Sequence, residues 1–395
     1  MVDKNERRQL TEAIAHIVSS VPFSELGTTM RMFCLPLAQK LHQYAELVEY
    51  PSDQQFKAMI VDLNELSTFF RFVVPRQEEA IQEPHPCMVM LAEMMPPIIE
   101  KLFLRYAKEE PISEALCRLF RNTIETYRLH FLPVLPKLVE LLVQTFETTG
   151  FPCYLWVAGR CVRTFGQGEE QLAGSMVQTL VEKMTELVFK IAQSAPTMAS
   201  VVEVMEEYFS MLSDFVYCCP NRFVSSSLPT STFQCGLFCL QGTDEPALVL
   251  AILRFYHDVF VLAQPNQTRV AVVSVQPMSH LLDQHAQDFI TALMKGLVFT
   301  FPRDREIVDD VSDCLDLVCQ SLGLEKLFGT IQRVVESHFP ESNEASVALR
   351  DGFLRKLGAA CEARAVAKVA AALRDYAASY TRRNLIESRN QTDEA

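Results

Sequence analysis

Residues 112–128 have the sequence ISEALCRLFRNTIETYR, and this stretch shows the pattern that decides the fold. Apolar side chains recur at intervals of three and four, at Leu116, Leu119, Phe120, Ile124 and Tyr127. Because an α-helix has about 3.6 residues per turn, these positions lie on one side of it. The stretch therefore predicts an amphipathic helix that buries one face and exposes the other.

The same period continues along almost the whole chain, and no segment shows the alternation typical of a strand. Short breaks that contain Pro, Gly, Asn or Ser separate the helical segments. The predicted helix pairs are 5–20 with 24–48, 53–72 with 86–108, 112–128 with 131–148, 152–165 with 169–193, 198–217 with 230–240, 246–262 with 270–299, 304–321 with 324–338, and 343–357 with 362–382.

About eight pairs in 395 residues give a period of about 49, slightly above that of HEAT and armadillo repeats. The sequence therefore predicts an all-α fold, an α-α superhelix of HEAT repeats over residues 1–384 with no internal domain boundary. The polar residues 385–395 predict a disordered tail. Residues 74–86 and 224–232 are polar stretches, and we expect both to be long loops.

Composition limits the possible partners. Lys and Arg number 36 against 49 Asp and Glu, and the net charge is −13. An acidic chain repels a phosphate backbone, so we expect basic protein partners and no direct nucleic acid. No apolar run is long enough to span a bilayer, and no signal pattern follows Met1, so we expect a soluble protein without membrane insertion. The 12 cysteines lack a Cys-x-x-Cys motif, which indicates reduced, buried thiols of an intracellular protein.

The sequence contains no motif for chemistry. It has no phosphate-binding glycine loop, no dinucleotide fingerprint, no HExxH and no GxSxG. Cys235 and Cys239 share a helix face but have no further ligand nearby, so a metal site is not expected. We therefore predict neither an enzyme nor a cofactor.

A basic stripe is predicted on the helix at 112–128, where Arg118, Arg121 and Arg128 fall on one side together with Glu114 and Glu125. Guanidinium groups hold phosphate or carboxylate through paired hydrogen bonds, so the stripe is a candidate site for an anionic partner. The alternative is an ordinary surface neutralised by Glu114–Arg118 and Arg121–Glu125 pairs at i, i+4.

An acidic stripe is predicted on the helix at 304–321, and its members are Glu306, Asp309, Asp313 and Asp316. Four like charges on one face repel each other, which makes a cationic partner a reasonable hypothesis. The alternative is a solvated face in an acidic protein.

Several short segments, in this order and at this spacing, resemble the C-terminal half of a β-karyopherin nuclear import receptor of the transportin-SR and importin-thirteen branch. They are Thr11-Glu12-Ala13-Ile14, Phe33-Cys34-Leu35-Pro36-Leu37, Phe70-Arg71-Phe72, His85-Pro86-Cys87, Pro96-Pro97-Ile98, Cys117-Arg118-Leu119-Phe120-Arg121 and Ala372-Leu373-Arg374-Asp375-Tyr376. The arginine helix of that branch carries more arginines than this one, and Glu125 interrupts the series here.

The resemblance implies a receptor that shuttles between cytoplasm and nucleus. Such a receptor binds basic or Arg/Ser-rich cargo, phosphorylated or not, and releases the cargo when Ran-GTP binds. It also implies contact with nucleoporins. Ran binds such receptors chiefly through N-terminal repeats, which we expect to be absent from this chain, so the chain is a fragment or a form without the main Ran site. The alternative is a HEAT-repeat scaffold for a protein complex without Ran dependence.

Overall fold

Helices make up almost all of the molecule. The structure is a computed structural model, and it describes residues 4–75, 84–167, 171–264, 272–339 and 344–393. No strand occurs in these ranges, and the all-α helical-repeat prediction is confirmed. The chain divides into two compact units, Met1–Gln193 and Ser194–Ala395, although sequence analysis predicted no internal boundary. The division falls at the break that contains Pro196.

The first unit contains two layers of helices. Its helices are α1 Lys4–Ser19, α2 Phe23–Ala45, α3 Asp53–Phe72, α4 Pro86–Met94, α5 Glu100–Arg105, α6 Glu110–Tyr127, α7 Leu135–Thr149, α8 Cys153–Phe165 and α9 Gln171–Ser194. Helices α1, α3, α6 and α8 pack side by side in this order, and α2, α4, α5 and α7 form the second layer. A π-helical turn at Met95–Ile99 joins α4 to α5, and it contains two prolines, which cannot donate to the helical ladder.

The packing of α6 follows its apolar period. Leu116, Leu119, Phe120, Ile124 and Tyr127 are all 1% exposed or less. Burial of apolar side chains of this size contributes roughly 1.5–3 kcal/mol each to folding. The predicted bounds of 112–128 agree with Glu110–Tyr127 to within two residues.

The second unit repeats the two-layer arrangement. Its helices are α10 Val202–Cys218, α11 Pro220–Ser225, α12 Leu228–Gly242, α13 Pro246–Leu262, α14 Val272–Lys295, α15 Arg305–Leu322, α16 Leu324–His338, α17 Glu344–Glu362 and α18 Val366–Asp393. Helices α10, α13, α15 and α18 pack side by side, and α12, α14, α16 and α17 form the second layer. In the last pair, α17 and α18, it is the second helix, α18, that packs next to α15 in the first layer. The Thr381 hydroxyl fixes α18 there by donating to the Val298 carbonyl at 3.0 Å.

One predicted loop is helical. Residues 224–232 were expected to be a long loop, but α11 ends at Ser225 and α12 begins at Leu228. Hydroxyl groups stabilise this tight connection. The Ser226 hydroxyl accepts from the Leu228 N–H at 3.2 Å, and the Thr232 hydroxyl donates to the Leu228 carbonyl at 2.8 Å. Ser and Thr at a helix start thus satisfy backbone groups that a loop would leave to water. Most of the other predicted loop, 76–83, lies outside the described residues.

The C-terminal segment also differs from expectation. Helix α18 continues to Asp393, whereas residues 385–395 were predicted to be a disordered tail. Leu385, Glu387 and Arg389 favour helix, which is consistent with its continuation. The limit of the repeat array near residue 384 stays a prediction. No described helix is long and apolar enough to cross a membrane.

Candidate functional site

Two arginines of the predicted basic stripe project from α6. Arg118 and Arg121 are both exposed and lie one turn apart. The Arg118 guanidinium donates from Nη1 to Oδ1 of Asn64 on α3 at 3.0 Å. Arg121 forms no ion pair with any residue in the part of the chain that the structure describes. The Arg121 charge is therefore open to an anionic partner.

Hydrogen bonds on both sides hold α6 in place. On the side of α3, the Asn122 amide donates to the Ser67 hydroxyl at 2.9 Å, and the Tyr127 hydroxyl donates to the Val73 carbonyl at 2.6 Å. On the side of α8, the Tyr154 hydroxyl donates to the Ser113 hydroxyl at 2.8 Å. The arginines thus project from a backbone with a fixed position, which lowers the entropic cost of binding.

The salt bridges predicted within α6 are not formed. Glu125 lies opposite Arg160 of α8, with 3.6 Å between Oε1 and Nη1, and does not pair with Arg121. No ion pair joins Glu114 to Arg118 in the described ranges. The α6 carboxylate is thus neutralised from the neighbouring helix, so the local pairing expected for an isolated helix does not describe this surface.

Arg128 does not belong to the helical stripe, which corrects the sequence prediction. Helix α6 ends at Tyr127, and Arg128 has φ +46° and ψ −118°. Residues 128–131 form a 3₁₀ turn that buries Phe131 completely. Because the backbone turns at residue 128, the Arg128 side chain leaves the α6 register.

The acidic stripe on α15 is only partly unpaired. Glu306 pairs with Arg254 of α13 at 2.7 Å, and Asp309 faces Arg305 at 3.4 Å. Asp313 and Asp316 form no ion pair with another described residue, although Asp316 accepts a hydrogen bond from the Gln320 amide. Two of the four predicted carboxylates are therefore compensated by arginine, and the repulsion expected along the stripe is smaller.

Residues of α13 extend the acidic surface, and sequence reasoning missed them. His257 lies 3.7 Å from Asp258, between Nδ1 and Oδ1. The contact with the Asp258 carboxylate raises the pKa of His257, and the nearby Asp313 and Asp310 charges add to this effect. Burial raises the pKa values of Asp310 and Asp313. No local motif marks the approach of His257 to Asp310 and Asp313, because α13 and α15 are about fifty residues apart in the sequence.

The other features of the described residues do not suggest chemistry. Within the described ranges no group of three or more His, Cys, Asp or Glu could hold a metal ion. A groove of about 370 Å³ lies between α17 and α18, and Phe353, Tyr376 and Arg382 are among its lining residues. All twelve cysteines are free thiols.

Comparison with known proteins agrees with this architecture. The sequence model of the family described as the Transportin-3/Importin-13 fourth TPR domain matches residues 85–192, which include α6 and its arginines. The solved structure titled Importin13 cytosolic state superposes with a TM-score of 0.78 at 16% identity, covering 96% of this chain and 41% of that one. At this identity the superposition defines the fold, which is a HEAT-repeat solenoid.

Curated relatives are similar over much of the chain. An uncharacterized protein of Schizosaccharomyces pombe is 24% identical over 95% of this chain and 39% of its own length. The mRNA transport regulator MTR10 of Saccharomyces cerevisiae is 23% identical over 69% of this chain and 30% of its own length. Importin-13 of Mus musculus is 21% identical over 60% and 25% respectively.

These findings define a class first, an all-α helical-repeat protein with the fold of the solved importin-13 structure. More specifically, they confirm the resemblance to the transportin and importin-13 branch of the karyopherins. The chain spans two fifths or less of the length of these curated relatives.

Proposed function

We propose that this chain is the cargo-binding part of a nuclear transport receptor of the importin-β family and catalyses no reaction. The cargo is a basic or Arg/Ser-rich protein, which enters the nucleus and is released there by Ran-GTP. The observation that carries this proposal is the pair of exposed arginines, Arg118 and Arg121, on the rigidly held α6 inside the family-matched segment. Nucleoporin contacts and shuttling between cytoplasm and nucleus belong to the same proposal.

The two charged surfaces suit different parts of such a cargo. Arg118 and Arg121 would bind phosphoserine or carboxylate groups, because a guanidinium matches these anions with paired hydrogen bonds. Asp313 and Asp316 would attract arginine side chains and accelerate association by electrostatic steering.

The basic surface is tested with Arg118→Ala combined with Arg121→Ala. The Arg118–Asn64 hydrogen bond is exposed, so its loss costs at most about 1 kcal/mol of stability. A charge-assisted bond to phosphate contributes roughly 1.5–3 kcal/mol. We therefore expect a small change in melting temperature and about a tenfold or greater loss of affinity for a phosphorylated Arg-Ser repeat peptide.

The matched control is Lys183→Ala with Lys190→Ala, which removes the same charge from exposed positions of α9. Equal affinity losses in both double variants would show that the effect comes from the change in net charge and not from these two arginines. A loss of stability and affinity together would assign the arginines a structural role.

The acidic surface is tested with Asp313→Lys combined with Asp316→Lys. The unphosphorylated Arg-Ser peptide should bind more slowly and with weaker salt dependence. Glu325→Lys with Glu336→Lys on α16 gives the same change in net charge and should leave the association rate close to that of the wild type. An unchanged association rate of the Asp313→Lys, Asp316→Lys variant at low salt would show that this face of α15 is an ordinary solvated surface.

Ran dependence separates the receptor from a HEAT-repeat scaffold. In the experiment, Ran-GTP is added to the complex of the peptide with the longest available protein that contains this chain. Release of the peptide supports the receptor, and retention supports the scaffold.

A further inference from the structure

The contact between α6 and α8 contains a carboxylate inside the basic surface. From residue 118 onward the exposed charges of α6 are Arg118, Arg121 and then Glu125 one turn later. Arg160 of α8 lies against Glu125, with 3.6 Å between Nη1 and Oε1. Glu125 and Arg160 therefore form a contact between α6 and α8 one turn from Arg121, while Arg118 lies on the side of α3, where it donates to Asn64.

The two partners of this ion pair differ in solvation. The Glu125 side chain is 59% exposed, whereas that of Arg160 is 17% exposed. A largely exposed carboxylate at this distance is held weakly, because water competes for it. The more buried guanidinium is less screened and attracts an anion more strongly. Glu125 is thus the replaceable member of the pair.

A phosphate group is the stronger partner for the same guanidinium. Near neutral pH it carries a charge between about −1.5 and −2 and three acceptor oxygens, whereas a carboxylate carries one charge and two oxygens. An anionic ligand bound at Arg121 would meet Glu125 one turn away. The ligand would either displace Glu125 from Arg160 or be repelled by it.

We propose that Glu125 is a built-in competitor for the basic surface and sets its selectivity between phosphorylated and unphosphorylated segments. This inference rests on the proposed function of α6. It assigns Arg160 of α8 to the same binding surface as Arg118 and Arg121. Binding of a phosphorylated segment then replaces the Glu125–Arg160 contact with a phosphate–Arg160 contact.

The test is Glu125→Gln, which keeps the size of the side chain and removes its charge. Removing a like charge at about 6–8 Å from a phosphate, in a medium close to water, strengthens binding roughly fivefold. The unphosphorylated, basic form of the same Arg-Ser peptide loses an attraction, and its affinity should fall roughly twofold. The two affinities are measured by fluorescence anisotropy at low ionic strength.

Two control variants accompany the test. Glu147→Gln on α7 makes the same change in net charge at an exposed position of the other layer, and neither affinity should change. Glu125→Asp keeps the charge and should stay near the wild-type selectivity. Circular dichroism melting confirms that each variant is folded.

The outcomes separate this inference from the proposed function. Opposite changes in the two affinities with Glu125→Gln alone support the inference. Equal changes in Glu125→Gln and Glu147→Gln, or changes of both peptides in the same direction, overturn it. If Arg118→Ala with Arg121→Ala leaves phosphopeptide binding intact, the proposed function of the stripe fails, whereas tightening by Glu125→Gln would still support competition at Arg160.

Discussion

Asp310 on α15 is a carboxylate in an unfavourable environment, and replacing it should stabilise the protein. Its Oδ2 atom is buried and has no hydrogen-bond partner among the described residues. The like charges of Glu306 and Asp313 lie nearby, and the opposite charges of Arg254 and His257 offset part of their effect. We therefore predict that Asp310→Asn, which keeps the shape and removes the charge, raises the free energy of unfolding.

The magnitude follows from burial. Leaving a buried polar group unsatisfied costs about 1–3 kcal/mol, and more when the group is charged. The Asn amide is polar too, so Asp310→Asn recovers only the part of this cost that comes from the charge. Asp310 is only partly buried, and its positive neighbours recover some of this cost, so the lower limit applies. We expect a gain of about 1 kcal/mol at pH 7.5.

The gain should depend on pH with a definite sign. Burial raises the pKa of Asp310 in the folded state above its value in the unfolded chain. The penalty is therefore fully present above the folded pKa and disappears as the pH falls below the unfolded pKa. The difference between wild type and Asp310→Asn should shrink from pH 7.5 towards pH 4.

The assay is hydrogen exchange of α13 and α15 peptides, which reports local opening in a chain of two compact units. Asp351→Asn on α17, an exposed residue, is the control and should have little effect. A neutral or destabilising Asp310→Asn at pH 7.5, or a gain that does not decrease with pH, would refute the argument.

Three further predictions concern single sites. Gly236→Ala should destabilise the second unit by about 1–3 kcal/mol in melting experiments, because a new Cβ would lie 2.6 Å from the hydroxyl of the fully buried Tyr256. Gly242→Ala is the control and should be tolerated, because a Cβ at that position meets no atom within 4 Å. Arg128→Gly should stabilise the first unit by roughly 0.5–1 kcal/mol in the same assay, because φ at this position is +46° and glycine adopts this conformation without a Cβ clash. Burial lowers the pKa of His85 to about 4. The free energy of unfolding should therefore fall as the pH decreases below about 6.5, by about 2 kcal/mol at pH 5. Faster hydrogen exchange in the adjoining helix α4 would detect this loss.

Helix positions could be predicted from the sequence because each helix buries an apolar face of period 3.6. On α15, for example, the predicted bounds 304–321 match Arg305–Leu322 to within one residue. The start of α12 could not be predicted, since Ser and Thr favour both turns and helix starts. Here contacts at Ser226 and Thr232 decide between the two.

The charged faces were predictable in position but not in pairing. Arg118 and Arg121 are exposed as predicted, yet Glu125 pairs with Arg160 across two helices. An i, i+4 pair on one helix contributes only about 0.2–0.5 kcal/mol, so a contact from a neighbouring helix easily replaces it. The backbone conformation of Arg128 was missed for a similar reason, because the Tyr127 hydroxyl bonds to the Val73 carbonyl and the chain turns at the next residue.

Several contacts between helices of successive pairs join residues at a nearly constant separation in the sequence. The hydrogen bonds from Arg118 to Asn64 and from Tyr127 to Val73 each span 54 residues, and that from Asn122 to Ser67 spans 55. In the second unit the pair of Arg254 with Glu306 spans 52. When helices of successive pairs lie side by side, a surface residue can meet a residue one repeat away as well as a residue one turn away on its own helix, as Arg305 meets Asp309. The electrostatics of a stripe in such an array is therefore a property of neighbouring repeats, and a variant on α6 has to be interpreted together with α3 and α8.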